Sequence, residues 1–243
     1  MTAERKAAIT IGVLYVLGDL AGFASAALVP SFARGTNVLA AISAARTATI
    51  LGALCILTMG FVLSAIPAVF YSIGRRFSET LTNGYLIFRG AFEGMICLAD
   101  TLILLTLVAL AAEPAGAAQA GALPTMYRVM FEQVGALPFA VGAFMFSLLL
   151  FNSRLVPRWL AVWGLTMAPL YAGAAFARMA GLDLDWLMFP LAIQEMVLAV
   201  WLIAKGFNPV ALAQGAPQAD ETRAPSRSSQ MFNPRRECES PLP

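Results

Sequence analysis

The chain has no histidine. Without an imidazole it cannot build a bis-histidine haem site, the usual zinc hydrolase sites, or a Ser-His or Cys-His nucleophile pair. Cysteine is scarce too: three residues cannot form a disulfide framework. Cys55 and Cys97 stand inside apolar runs, where a thiol reads as a small core residue, and Cys238 lies near the C-terminal end. Charge is the third shortage. Only 12% of the residues are charged, against roughly 25% in a soluble domain. Basic and acidic residues nearly balance, at 16 and 14, so nothing points to a nucleic-acid partner. No cofactor or metal is expected.

What is present is apolar. Hydrophobic residues make up 59% of the 243, more than a soluble chain of this length can bury beneath a polar surface. The surplus has to face lipid. A membrane span takes about 20 mostly apolar residues, because a hydrocarbon core of roughly 30 Å is crossed at about 1.5 Å per residue. Six runs satisfy this: Ala8–Val29, Thr47–Ile73, Leu86–Ala112, Gln133–Phe151, Trp159–Met179 and Trp186–Ala204. The first has a signal-peptide outline, with Arg5 and Lys6 before an apolar stretch. Its length and the interruption by Asp19 favour a retained helix.

The expected fold is therefore all-α: a polytopic membrane helix bundle of six transmembrane helices over residues 1–206. Residues 207–243, rich in Pro, Ser, Gln and mixed charge, are expected to form a disordered cytoplasmic tail. Basic residues near span ends set orientation. With the N-terminus inside, 12 of them, Arg5, Lys6, Arg75, Arg76, Arg154 and Arg158 included, fall on the cytoplasmic side. Four, Arg34, Arg46, Arg128 and Arg178, fall outside. An even number of spans then puts both termini in the cytoplasm. Of the two longer outer segments, Glu113–Pro124 is poor in bulky apolar residues and is expected to be mobile.

Four carboxylates lie within the expected spans: Asp19, Glu93, Asp100 and Glu195. Each costs about 2.5–3.5 kcal/mol near the bilayer centre, so they should face the bundle interior. Arg89 and Glu93 are four apart and share a helix face, which lets them pair. Asp100 follows Glu93 by seven residues on nearly the same stripe. Gly90 and Gly94 flank Glu93 and Gly18 and Gly22 flank Asp19, small residues at a spacing that lets helix backbones approach closely. The pattern implies a polar seam where the first, third and sixth spans meet. Arg89 and Glu93 can serve as a self-neutralising structural pair. Asp100 and Glu195 lack an obvious cation at their own depth, which suits a proton carrier or hydrogen-bond donor, or a neutral structural acid.

Three stretches, Tyr85–Glu93 (YLIFRGAFE), Ser153–Leu165 (SRLVPRWLAVWGL) and Pro190–Phe207 (PLAIQEMVLAVWLIAKGF), resemble the bacterial membrane family called domain of unknown function 4386. The resemblance covers most of residues 8–207 in helix layout. It implies a small multi-pass protein of the bacterial inner (plasma) membrane and gives Arg89, Glu93, Arg154, Pro157, Arg158, Gln194 and Glu195 standing as family-pattern positions. It implies no activity.

Together these features lead to a non-enzymatic integral membrane protein that binds or translocates a small solute or proton, with Asp19, Arg89, Glu93, Asp100 and Glu195 as candidate binding or relay residues. Its only implied partners are the bilayer and that ligand. The alternative is a non-catalytic scaffold or assembly subunit. An intramembrane aspartyl protease using Asp19 and Asp100 would need the two acids to share a proton, and neither stands in a GxGD setting.

Overall fold

Apolar runs of this length leave a chain one way to satisfy its backbone in lipid without closing a barrel, by hydrogen bonding within helices. The computed structural model describes residues 1–30, 37–113 and 115–215, and every regular element among them is helical. Among the described residues, five helices are long and apolar enough to cross a membrane: α1 (Ala3–Leu28), α3 (Arg46–Gly74), the continuous Glu79–Leu110, α8 (Ala136–Ser153) and α9 (Arg158–Met179). Their outward side chains remain apolar. Phe61 is 69% exposed and Met95 65%, exposures that water would penalise and lipid would not.

The 32-residue helix Glu79–Leu110 consists of α4 (Glu79–Tyr85), a π-helical segment Leu86–Phe92 and α5 (Glu93–Leu110). It begins seven residues before the expected Leu86, because Ser78 caps it by accepting a hydrogen bond from the Leu81 amide at 3.3 Å. The expected sixth span is shorter than the rest. Trp186 lies in a 3₁₀ turn, and α10 (Phe189–Ala204) has 16 residues, a rise of about 24 Å.

Packing is organised around α3, which lies against both α1 and α5. The α3–α5 contact is close because it is lined by small residues. A Cβ on Gly60 would stand 2.6 Å from Cβ of Cys97, and one on Gly90 would stand 3.3 Å from Cγ of Pro67. Helices α8 and α9 pack together, and α10 joins α1 to α9. At one end of the bundle Tyr85 stacks on Phe146 with ring centroids 4.4 Å apart, and the edge of Phe70 meets the same ring at 5.1 Å.

Polar contacts gather the basic loops at that end. Arg5 donates to the carbonyls of Leu202, Ile203 and Ala204, closing the C-terminus of α10. Glu4 pairs with Arg76 at 3.6 Å. The Asn208 amide donates to Leu155 O at 2.8 Å. The start of α1, the turn after α3, the α8–α9 loop and the end of α10 therefore share one end of the bundle.

Two expectations change. Glu113–Pro124, read as mobile, contains α6 (Gly116–Ala120) and leads into α7 (Leu123–Val129). Ala120 and Tyr127 are buried against α5 (Glu93–Leu110), small side chains here allowing close packing rather than preventing it. The residues just after Phe207, read as the start of a disordered tail, are also ordered. Asn208 caps α11 (Pro209–Gln214), and Phe207 and Ala211 join the core. The remainder of the expected tail, with Cys238 and four arginines, lies outside the described residues, as does Arg34.

If the α3–α5 contact holds the bundle together, Gly60→Leu should lower unfolding stability in detergent by about 1–3 kcal/mol through overpacking. Gly173→Leu, where nothing lies within 4 Å of a Cβ, should leave it unchanged. A thermal melt of both variants beside the parent checks this.

Candidate functional site

The polar residues of the spans converge on Arg89. It sits in the π-helical segment Leu86–Phe92, where the wider turn has the Glu93 amide donating five residues back to Phe88 O. From α3, Ser64 Oγ donates to Gly90 O at 2.8 Å, bracing this segment from outside. Across it, α8 comes so near that a Cβ on Gly142 would stand 3.1 Å from the Arg89 amide. A side chain at this position would force the two helices apart by a few tenths of an ångström. The Arg89 side chain is 1% exposed, among helices whose outward side chains are largely apolar.

Two carboxylates from different helices hold the guanidinium. Nη1 lies 3.2 Å from Glu93 Oε2, and Nη2 lies 3.2 Å from Glu195 Oε1 and donates to Glu195 Oε2 at 3.4 Å. The Phe139 ring stands 4.5 Å from the guanidinium carbon and the Tyr15 ring 5.7 Å from it, contacts that favour a cation in a dry setting. Beside them the Tyr15 and Tyr85 hydroxyls form a 3.1 Å hydrogen bond. Asp19 lies within electrostatic reach of Arg89, Glu93 and Glu195. Among the described residues of this cluster, Asp19 Oδ2, Arg89 Nε, Arg89 Nη1 and Glu93 Oε2 are buried without a hydrogen-bond partner, the last two meeting as an ion pair only.

The expected Arg89–Glu93 pair is present, and the expected meeting of the first, third and sixth spans takes place in this cluster. Glu195 departs from expectation. It does have a cation at its own depth, and that cation is Arg89, 106 residues away in sequence. Asp100 stays apart. It is fully buried, neither of its oxygens has a hydrogen-bond partner, and no ion pair reaches it among the described residues. Asp19 and Asp100 thus belong to different surroundings and share no site.

Tyr15, Tyr85 and Phe139 were not singled out from the sequence. The two tyrosines carry a signal that was available: Tyr15 precedes Asp19 by four residues, and Tyr85 precedes Arg89 by four, each on the same helix face. Gln194 has a separate task, donating to Leu160 O at 3.2 Å and fixing α10 to α9. Pro157 caps α9, and Arg154 takes a left-handed conformation, φ 55°, at the end of α8.

A family model described as Domain of unknown function (DUF4386) matches residues 10–206. The chain belongs to this family. The match runs from the first turns of α1 past the end of α10, so the DUF4386 region contains the whole Arg89 cluster and Asp100. No curated protein and no solved structure matches the chain.

Removing Arg89 leaves two carboxylates facing each other without their cation. Arg89→Ala should therefore cost about 3–5 kcal/mol in unfolding stability. Arg89→Lys should recover only part of that, since an ammonium lacks the planar fork that reaches two carboxylates at once. Asp100→Asn, with no ion pair to lose, should be tolerated. Chemical unfolding in detergent distinguishes the three.

Proposed function

We propose that this chain is a six-span protein of the bacterial inner membrane, with both ends in the cytoplasm, that binds and carries a proton or small cation at the Arg89 cluster. One observation carries the reading. Two carboxylates, Glu93 and Glu195, hold a single guanidinium, and a third, Asp19, lies within its electrostatic reach without contacting it among the described residues. If all four groups were ionised the cluster would hold two uncompensated negative charges away from water, a costly state. Protons or a bound cation relieve it. An acid surplus of this kind is the ordinary equipment of intramembrane proton and cation sites.

The orientation rests on the basic residues. Arg5, Arg76, Arg154 and Lys205 all stand at the end of the bundle where Arg5 closes α10, and the cytoplasmic side is where basic loops are retained. The 3₁₀ turn before α10 lengthens this short helix toward a full crossing. Its end beside the start of α1 supports an even number of spans.

The second reading, a scaffold or assembly subunit without a ligand of its own, draws on the closure of the site: Arg89 is fully enclosed, which an ion-paired clamp also requires.

Alkaline phosphatase fused after Ala118 should be active in a bacterial host and inactive when fused after Arg154. For the carrier role, purified protein in liposomes should dissipate an imposed pH gradient, and Glu195→Gln should abolish this without unfolding the protein. A gradient dissipated equally by Glu195→Gln rejects Glu195 as a carrier. A gradient left standing by the parent chain, under protonic or alkali-cation loading, favours the clamp.

A further inference from the structure

Two cavities meet along the outer face of α10, the first bordering the Arg89 cluster at Asp19. The first is a groove of about 510 Å³ that follows this helix from Phe189 through Ile193 and Val200 to Lys205, with α1 contributing Phe23 and Asp19. Asp19 is its one acidic lining residue, and the other lining side chains are apolar except for Lys205 and the indole N–H of Trp201. The second cavity, about 420 Å³, lies where the α8–α9 loop meets the segment after α10. Arg154, Arg158 and Lys205 line it, and no acidic side chain does. None of these three cations has an ion-pair partner among the described residues, whereas Arg5 and Arg76 nearby are both engaged. The two cavities share Trp201 and Lys205.

The basic cavity is built rather than incidental. Leu155 and Val156 anchor the loop in the core, at 0% and 3% exposed. The Asn208 backbone and side-chain nitrogens donate to Leu155 O and Arg154 O, clamping the loop to the chain after α10. Arg154 holds its left-handed φ of 55° within this clamp, a conformation that L-residues keep only where the surroundings impose it. Arg158 lies over the Phe151 ring at 5.3 Å, which limits where its charge points.

A long apolar channel that opens at one end into a trio of unpaired cations, with a tryptophan at the junction, matches the amphipathic layout of one class of molecule. We infer that this surface holds an anionic phospholipid, its acyl chain along α10 and its phosphate between Arg154, Arg158 and Lys205. The inference rests on α10 facing lipid, as the six-span reading has it, but not on the carrier role of the Arg89 cluster. Clustered basic residues at a membrane surface attract anionic headgroups, Trp favours the headgroup level, and the groove has the volume of a ligand site.

The test uses the full chain in detergent, with native mass spectrometry of lipid retention. Phosphatidylglycerol and phosphatidylcholine with identical acyl chains are offered at equal concentration. Phosphatidylglycerol should be retained in preference. Arg158→Gln and Lys205→Gln should each reduce its retention about fivefold while leaving phosphatidylcholine unaffected. Val200→Trp, which fills the groove, should reduce retention of both lipids. Glycerol 3-phosphate, which has the phosphate ester without the chain, should not bind. Equal retention of the two lipids by the parent chain would overturn the proposal, and that comparison stands even if a variant fails to fold. Binding of glycerol 3-phosphate as tight as that of phosphatidylglycerol, unaffected by Val200→Trp, would also overturn it and reassign the basic cavity to a soluble phosphate ester.

Discussion

A guanidinium with 1% exposure inside a bundle of apolar helices has to be compensated where it stands, and Arg89 is compensated by Glu93 from its own helix and Glu195 from α10. Much of the surrounding structure serves that arrangement. The π-helical segment holds Arg89 in a widened turn braced by Ser64, Gly142 lets α8 close over it, and Phe139 and Tyr15 supply the ring faces. Because α10 contributes one of the two anions, the pairing also fixes the position of this short helix, together with the Gln194 bond to α9 and Arg5 at its C-terminus. Buried ion pairs are weak sources of net stability but are well suited to specifying which partners meet.

The small-residue contacts and the polar cluster divide the labour between them. Gly60, Gly90 and Gly94 bring α3 close to the continuous helix Glu79–Leu110 with little side chain between them, the kind of packing that would hold apolar helices together in a bilayer. Charge then determines which faces turn inward. At the end where Arg5 closes α10, basic loops collect around the bundle and leave Arg154, Arg158 and Lys205 unpaired beside the groove. The interior sets two carboxylates on one cation, and the cavity beside the α8–α9 loop is lined by three cations and no acid. Under the two proposals made above, a proton or small cation would offset the first imbalance and an anionic headgroup the second.

Much of the helix layout was legible because each long span is an apolar run with breakers at its ends. The runs Thr47–Ile73 and Trp159–Met179 differ by a residue or less at each end from α3 and α9. Within one helix, spacing was equally informative: four residues separate Arg89 from Glu93, and they pair. What spacing cannot show is a partner on another helix, so Glu195 read as cationless although Arg89 lies beside it. The π-helical turn left no periodic trace, since one widened turn within a continuous helix shifts the apolar pattern too little to be read. The segment Glu113–Pro124 misled for a physical reason: alanine and glycine lower hydrophobic bulk, yet they also allow Ala120 to pack closely on α5. The order after Phe207 had a signal that was passed over, an Asn208 cap followed by Pro209 in the first helical position.

The central claim is that Arg89 and Glu195, 106 residues apart in sequence, form one energetic unit across two helices. A double-mutant cycle measures this directly. Unfolding free energies would be determined in detergent for the parent, Arg89→Met, Glu195→Gln and the combined variant. The combined variant should be more stable than the two single losses predict, with a coupling of about 0.5–3 kcal/mol between the sites. Strict additivity within experimental error would show that the two residues do not act together, and would contradict the account.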